Sequence, residues 1–303
     1  MISFCEFVNH IKFDIENIIG AREFPIKNKI IAVVVPKNGR YLTSKKSIHL
    51  QLKNYLIKLR YFIELAYKGT NYNGWQYQPD APSVQETLAN ALSTLLRMKI
   101  EIVGAGRTDT GVHAKQMFAH FDFDEKIDSE KLIQKLNSFL PKDIAVFRII
   151  ELHDDAHARF DATSRTYEYH INTTKNAFGC NDSWYFSNEL DVELMNKACE
   201  LLMKHNDFEC FSKVHTDVNT FICSITKANW VKNGHNLVFT ITADRFLRNM
   251  VRAIVGTMVN IGLKKTSLIE FEEIIESKNR SKAGFSVPAH GLYLTEVKYD
   301  YIN

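Results

Sequence analysis

At 303 residues, 45% hydrophobic and 24% charged with only 6 prolines, the chain has the length for one large or two medium domains and no room for a long disordered region. Its longest apolar run, Ile30 to Val35, is far short of the roughly 20 residues that span a bilayer. Glu6, Asp14 and Glu16 lie where a secretory signal would carry lysines and then a clean apolar core, so a cytoplasmic protein with no membrane partner is expected.

The net charge of +3 combines unlike parts. Residues 1–59 hold ten Lys/Arg against four Asp/Glu, whereas the remainder holds 28 basic and 31 acidic residues. Global basicity therefore gives no case for a nucleic-acid partner, which must rest on local clusters. The five cysteines (Cys5, Cys180, Cys199, Cys210, Cys223) are odd in number and form no C-x-x-C pair, which predicts reduced thiols. His153 and His157 are four apart, a spacing that would bring them together on a helix, but no matching ligand cluster accompanies them. No metal site is expected.

Residues 1–58 show short apolar pieces between Lys/Asn-rich stretches and no lasting period. The text changes at Arg60, where β-branched and aromatic residues predict a strand through Tyr67. The loop that follows carries Tyr72, Trp75 and Tyr77 among Gly and Asn; these rings either pack down on the core or offer stacking faces to a base. Ser83 and Glu86 read as a capping box opening a helix with Leu88, Ala91, Leu92, Leu95 and Leu96 on its apolar face. The runs Ile100–Val103 and Met117–Phe123 read as strands flanking a glycine-rich loop. A second amphipathic helix is expected over Ser129–Leu140 and a strand over Ile144–Leu152. The order strand, helix, strand, strand, helix, strand is ferredoxin-like.

The second half repeats this layout. Strands are expected over Arg165–Thr173, Phe221–Val231, Leu237–Arg245 and Gly291–Val297, and helices over Val192–His205, Leu247–Ile261 and Leu268–Glu276. The predicted fold is α+β: two ferredoxin-like units with mostly antiparallel sheets, over 59–160 and 161–303, joined around a central cleft that is the default site. Residues 1–58 stand apart as an atypical extension.

The loop Gly104–Ala114 holds Arg107, Thr108, Asp109 and Thr110 between glycines at the end of a strand, where catalytic groups commonly sit. Asp109-Thr110-Gly111 is also the aspartic-protease signature, but such a protease needs two carboxylates sharing a proton, and no second Asp-Thr-Gly or Asp-Ser-Gly exists in the chain. A turn capped by an Asp bonding its own backbone is the plain structural account. Arg107 favours a site, because a guanidinium beside a carboxylate favours the charged form that nucleophilic catalysis requires. In the helix from Leu247, Arg248, Arg252 and Gly256 fall at i, i+4 and i+8. They are either snorkelling arginines or, for Arg252, a partner for a carboxylate such as Asp109. Tyr167 is either a half-buried sheet tyrosine or a phenol that stacks on, or exchanges a proton with, a planar substrate.

Taken together these words resemble the tRNA pseudouridine synthase A family. They are Tyr67-Lys68-Gly69 with Gly74-Trp75-Gln76, Ser83–Glu86, Ala105–His113, Asp155–Phe160, Arg165–Tyr169, Asn206–Phe208, Phe246–Gly256 and Gly291–Leu294. They fall in the family's order over residues 60–299. The resemblance implies isomerisation of uridine to pseudouridine at positions 38, 39 or 40 in the anticodon arm of tRNA, and a homodimer in which tRNA meets both subunits. By the same resemblance Asp109 is the nucleophile, Tyr167 stacks on the target base, Arg252 pairs with the aspartate and Arg107 assists base flipping. It implies that no cofactor, metal or nucleotide is needed. Arg245, Arg248 and Arg252, or Lys264 and Lys265, are candidates to meet phosphates.

Members of that family start just before the first strand, whereas 58 residues precede Leu59 here and no methionine lies between Met1 and Met98. The expectation is that translation begins at codon 59 and that the leader is upstream sequence read in frame. The reading from a different class is a non-catalytic RNA-binding module, disfavoured by the joint presence of Arg107, Asp109, Tyr167 and Arg252.

Overall fold

Strands form where apolar residues alternate and helices where they recur every three to four positions, and the boundaries follow the caps. The computed structural model describes residues 23–26, 29–32, 58–177, 182–214 and 219–302. The chain divides into two compact units, Met1–Ile57 and Lys58–Asn303. In the first, β1 (Glu23–Ile26) and β2 (Lys29–Ala32) pair antiparallel with Glu23 opposite Ala32. The rest of the expected extension, with Cys5, lies outside the described residues, as does Cys180.

The second unit holds β3 (Leu59–Tyr67), α1 (Val84–Leu96), β4 (Val103–Gly104), β5 (His113–Phe123), α2 (Ser129–Phe139) and β6 (Ile144–Leu152). It continues with β7 (Ser164–Asn172), β8 (Trp184–Tyr185), α3 (Val192–Leu202), β9 (Ile225–Asn233) and β10 (Asn236–Ala243). The last elements are α4 (Met250–Gly262), α5 (Leu268–Glu276) and β11 (Leu292–Lys298). All the strands of this unit join one mixed nine-stranded sheet, in the order β6-β3-β5-β11-β7-β10-β9, with β4 on β5 and β8 on β7. Where two sheets around a cleft were expected, a single sheet runs through both halves. The cause is β11, which pairs antiparallel with β7 and parallel with β5 through Tyr293↔His113 and Leu294↔Ala114.

Several boundaries move for identifiable reasons. The run Ile100–Val103 contributes only Val103–Gly104 to the sheet; Ile100 and Ile102 are buried without ladder pairing. β5 is longer than expected because His113–Gln116 continue the strand. α4 starts at Met250 rather than Leu247, since its N-cap Asn249 adopts the left-handed conformation (φ 67°); Arg248 therefore precedes the helix and shares no helical row with Arg252. Ser83 caps α1 by accepting from Glu86 N–H at 3.3 Å, while the reciprocal box is complete at Ser267–Glu270 of α5. Tyr72 and Trp75 pack into the core, as the first of the two expected uses has it, and Tyr77 stays exposed.

The buried side chains form two clusters. One lies beneath β3, β5 and β6 with α1 and α2, and the other beneath β7, β9 and β10 with α3, α4 and α5; Tyr167 packs against both. α4 is nearly all buried and is strapped by residues 284–287: Gly284 N–H donates to Thr257 Oγ1 at 2.8 Å, and Val287 N–H to Arg252 O at 3.3 Å. At Gly256 a Cβ would lie 1.8 Å from Phe285 O, a backbone atom that cannot swing aside. Gly256→Ala is expected to cost on the order of 1–3 kcal/mol, lowering Tm by about 2–4 °C per kcal/mol in a thermal melt.

His120 on β5 is buried, and its Nδ1 accepts the Ala158 N–H at 3.0 Å. Burial, with help from Arg60 and His157, lowers its pKa to about 4, against about 6.5 in an unfolded chain. Between those values the unfolded chain takes up a proton that the folded chain refuses, so stability present above about pH 6.5 is lost as pH falls towards 4. His157, His170 and His290 are lowered as well and act with the same sign. Denaturant midpoints are expected to drop from pH 7 to pH 4.5, and to drop less in His120→Asn, whose amide oxygen can still accept the Ala158 bond.

Candidate active site

The loop between β4 and β5 is built from its underside. Thr108 faces inward: its Oγ1 accepts the Trp75 N–H at 3.1 Å and shares a 2.9 Å hydrogen bond with the Tyr67 hydroxyl. Gly74 approaches from below at φ 85°, and a Cβ there would stand 2.2 Å from Thr108 O, so only glycine fits. Gly111 N–H donates to Tyr72 O at 3.3 Å, and Val112 N–H closes a turn on Asp109 O at 3.1 Å. Held from beneath in this way, the turn leaves the carboxylate of Asp109 half-buried and facing outward from the loop.

Two guanidinium groups from the other half meet it. Arg252, in the first turn of α4, places Nη1 at 3.5 Å from Asp109 Oδ2 while its Nε donates to Val287 O at 2.7 Å. Arg248 places Nε at 3.6 Å from Asp109 Oδ1. Arg252 is largely buried and Arg248 exposed, with side-chain exposures of 19% and 58%, so Arg252 is the less screened partner. The left-handed Asn249 stands between them, its amide donating to Ser286 Oγ at 2.7 Å.

Tyr167 reaches the same region through the sheet. Ala114, Leu294 and Tyr167 occupy one row across β5, β11 and β7, about 10 Å from end to end at the usual strand spacing. The Tyr167 ring meets Phe246 edge-on at 5.1 Å. Burial pushes its phenol up to about 12; Arg165 opposes the shift, and the charge of Asp109 adds to it. The phenol is thus neutral at physiological pH and is a hydrogen-bond donor within the field of the carboxylate. Tyr67 is pushed up too, by burial above all, with Tyr167 adding to it.

The structure therefore brings together Asp109, Arg252 and Tyr167. Arg107 sits on the same loop but is exposed, and the guanidinium groups that face Asp109 are those of Arg252 and Arg248. Two further residues position the loop, and no sequence argument singled them out. Arg165 gives every bond to carbonyls: Nη2 donates to Ala105 O at 3.1 Å and Arg159 O at 2.7 Å, and Nη1 to Ala162 O at 2.8 Å and Asp244 O at 2.7 Å. His113 accepts the Gly69 N–H on Nδ1 at 2.9 Å, so its Nε2 carries the proton donated to His290 O at 3.1 Å. Both stand at the edge of words that carry the family resemblance, Arg165–Tyr169 and Ala105–His113, but nothing in those words assigns either of them a role. Among the described residues no group of three or more His, Cys, Asp or Glu could hold a metal ion. His153 bonds Asp155, and His157 Nδ1 accepts backbone N–H groups. Cys199, Cys210 and Cys223 are free and buried.

The family described as tRNA pseudouridine synthase matches residues 65–161 and 198–300, about two thirds of the chain, with Asp109, Arg248 and Arg252 inside the match and Tyr167 between its two parts. The chain belongs to that family. The tRNA pseudouridine synthase A of Bacteroides fragilis is 52% identical over 242 residues, covering 79% of this chain and 96% of the relative. Its counterpart in Parabacteroides distasonis is 52% identical over 241 residues with the same coverage. That of a Thermoanaerobacter species is 40% identical over 239 residues, 78% of this chain and 98% of the relative.

Within this candidate site Thr108 is the link between loop and core. Thr108→Val keeps the shape but leaves the Tyr67 hydroxyl and the Trp75 N–H without that partner. The Trp75 N–H keeps the Thr108 carbonyl at 3.4 Å, whereas the buried Tyr67 hydroxyl loses this partner at a cost of about 1–3 kcal/mol, so a lower unfolding midpoint and reduced turnover are expected together.

Proposed function

We propose that this chain isomerises uridine to pseudouridine in the anticodon arm of tRNA, at one or more of positions 38 to 40, with Asp109 as the nucleophile. The observation that carries the assignment of roles is the carboxylate of Asp109 lying 3.5 Å from Arg252 and 3.6 Å from Arg248, beside a neutral phenol. Asp109 takes part in breaking the C1′–N1 glycosidic bond; the freed uracil turns and rejoins the ribose through C5. At these long contacts neither carboxylate oxygen is tied up in a short hydrogen bond, so a lone pair remains for the reacting centre. Arg252 fixes the direction of the carboxylate through its second bond to Val287 O.

Chemistry on a base within a stem requires the nucleotide to leave the stack. Tyr167 offers the flipped uracil a ring face and a phenolic proton, and Arg107, exposed on the loop's outer side, fills the space the base vacates. Arg248 and neighbouring cations meet phosphates. Two ferredoxin-like units, 59–160 and 161–303, account for this arrangement. The strand orders β6-β3-β5-β4 and β11-β7-β10-β9 support that description, each half following the same 4-1-3-2 sequence. In keeping with the family resemblance, the working form is a cytoplasmic homodimer bound to tRNA.

The test is incubation with uridine-labelled tRNA and chromatography of its nucleosides for pseudouridine. Asp109→Ala is expected to lower turnover by more than about a thousandfold while tRNA affinity stays within a few-fold of the parent. Arg252→Ala is expected to fall between the two. Pseudouridine formation by the Asp109→Ala variant at the parental rate would remove the nucleophile assignment.

A further inference from the structure

The segment between β6 and β7 carries a feature that the chemistry above does not use. Phe160 is the most exposed large apolar side chain among the described residues, at 75%, yet the turn that presents it is tied down throughout. Every backbone N–H from His157 to Asp161 has a partner. That of His157 donates to Asp161 Oδ2 at 2.7 Å, and that of Ala158 to His120 Nδ1 at 3.0 Å. Those of Arg159 and Phe160 both donate to His157 Nδ1, at 3.1 and 3.2 Å, and that of Asp161 to His157 O at 3.1 Å. The Tyr299 hydroxyl donates to Ala158 O at 2.6 Å and the Tyr301 hydroxyl to Asp161 Oδ2 at 2.9 Å. A turn that merely joins two strands needs none of this, and loops without such bonding are the mobile ones.

The ring is also prepared on one side. The His157 imidazole packs against it at 4.3 Å with an interplanar angle of 30°, and the Arg159 guanidinium carbon lies 5.8 Å from its centre. Two of the three acids of the stretch are engaged elsewhere, Asp161 as above and Asp155 with His153, while Asp154 is exposed. The position is continuous with the active site, because one nitrogen of Arg165 holds both Arg159 O and Ala105 O, and Ala105 begins the loop that carries Arg107 and Asp109. An isolated surface phenylalanine needs no explanation. One held rigidly, flanked by a cation and anchored to the root of the catalytic loop has the form of an RNA stacking platform.

We propose that Phe160, with Arg159 beside it, stacks on a nucleobase of the tRNA next to the target uridine and so seats the anticodon arm over Asp109. This rests on tRNA being the substrate. A stacked base contributes enough that its loss weakens binding about 5- to 150-fold. In the full chain, Phe160→Ala is expected to raise the Kd for tRNA and the KM within that range, with kcat at saturating tRNA and Tm unchanged. Phe160→Leu, apolar but without a π face, behaves as the alanine variant does, and Phe160→Tyr retains parental affinity. Phe160→Trp reports directly, its fluorescence being quenched when tRNA is added. Unchanged tRNA affinity in Phe160→Ala overturns the proposal, as does equal loss in Phe160→Tyr. A change in sedimentation of the protein alone with affinity intact also overturns it, making the ring a protein–protein contact. Should the parent bind tRNA yet form no pseudouridine, the reaction assignment fails while the Phe160 series still decides the platform.

Discussion

The site depends on one guanidinium that holds two things at once. Arg252 faces the Asp109 carboxylate with one nitrogen and fixes Val287 O with another. Asp109 and Arg252 lie 143 positions apart in the chain, so the pair has meaning only once both halves are folded and joined. The carboxylate is held from the loop side by Thr108 and its aromatic floor, and the arginine from the helix side by the strap over α4. Neither group can shift to relax the contact without disturbing a core. A charge pair fixed from both ends keeps its geometry when a substrate enters, which is how preorganised sites favour the reacting state.

Much of this was legible in the residues, and what was not has a common cause. β6 and α5 fall where periodicity places them, because the apolar pattern of each segment matches the face it buries. Asp109, Tyr167 and Arg252 were identifiable as chemistry-bearing residues, but their neighbours were not. Arg248 looked like one member of a helical row with Arg252, yet the left-handed Asn249 takes it off the helix and it meets Asp109 from a separate segment. Arg165 has only carbonyl partners, two close in the chain (Ala162 and Arg159) and two far from it (Asp244 and Ala105), and no local pattern encodes such a set. The single sheet was hidden for the same reason, since two residues of β11 make the parallel junction with β5. Local propensity reports on a strand's existence and says little about which edge it will join.

One face of the sheet carries Lys115 with Glu168 and His170, and Glu64 with Gln116 and Arg148, and on that same face Phe62 and Phe118 are buried edge-on against Tyr299. That face is thus polar over part of its area and packed by aromatics over the rest. The upper rim of β5, β7 and β11, with the loops above it, is the place where residues from both halves converge.

The junction through β11 bears on how the protein comes into being. Synthesis supplies the loop of Asp109 and β5 first; the strand that seals them to β7 follows about 180 residues later. At ordinary rates of elongation this is an interval of roughly 10 to 40 s. During it the emerging polypeptide has its carboxylate but neither the completed row to Tyr167 nor the Val287 anchor of Arg252. The closing of the sheet therefore waits on β11, and until that strand emerges the two halves lack the shared ladder that joins them.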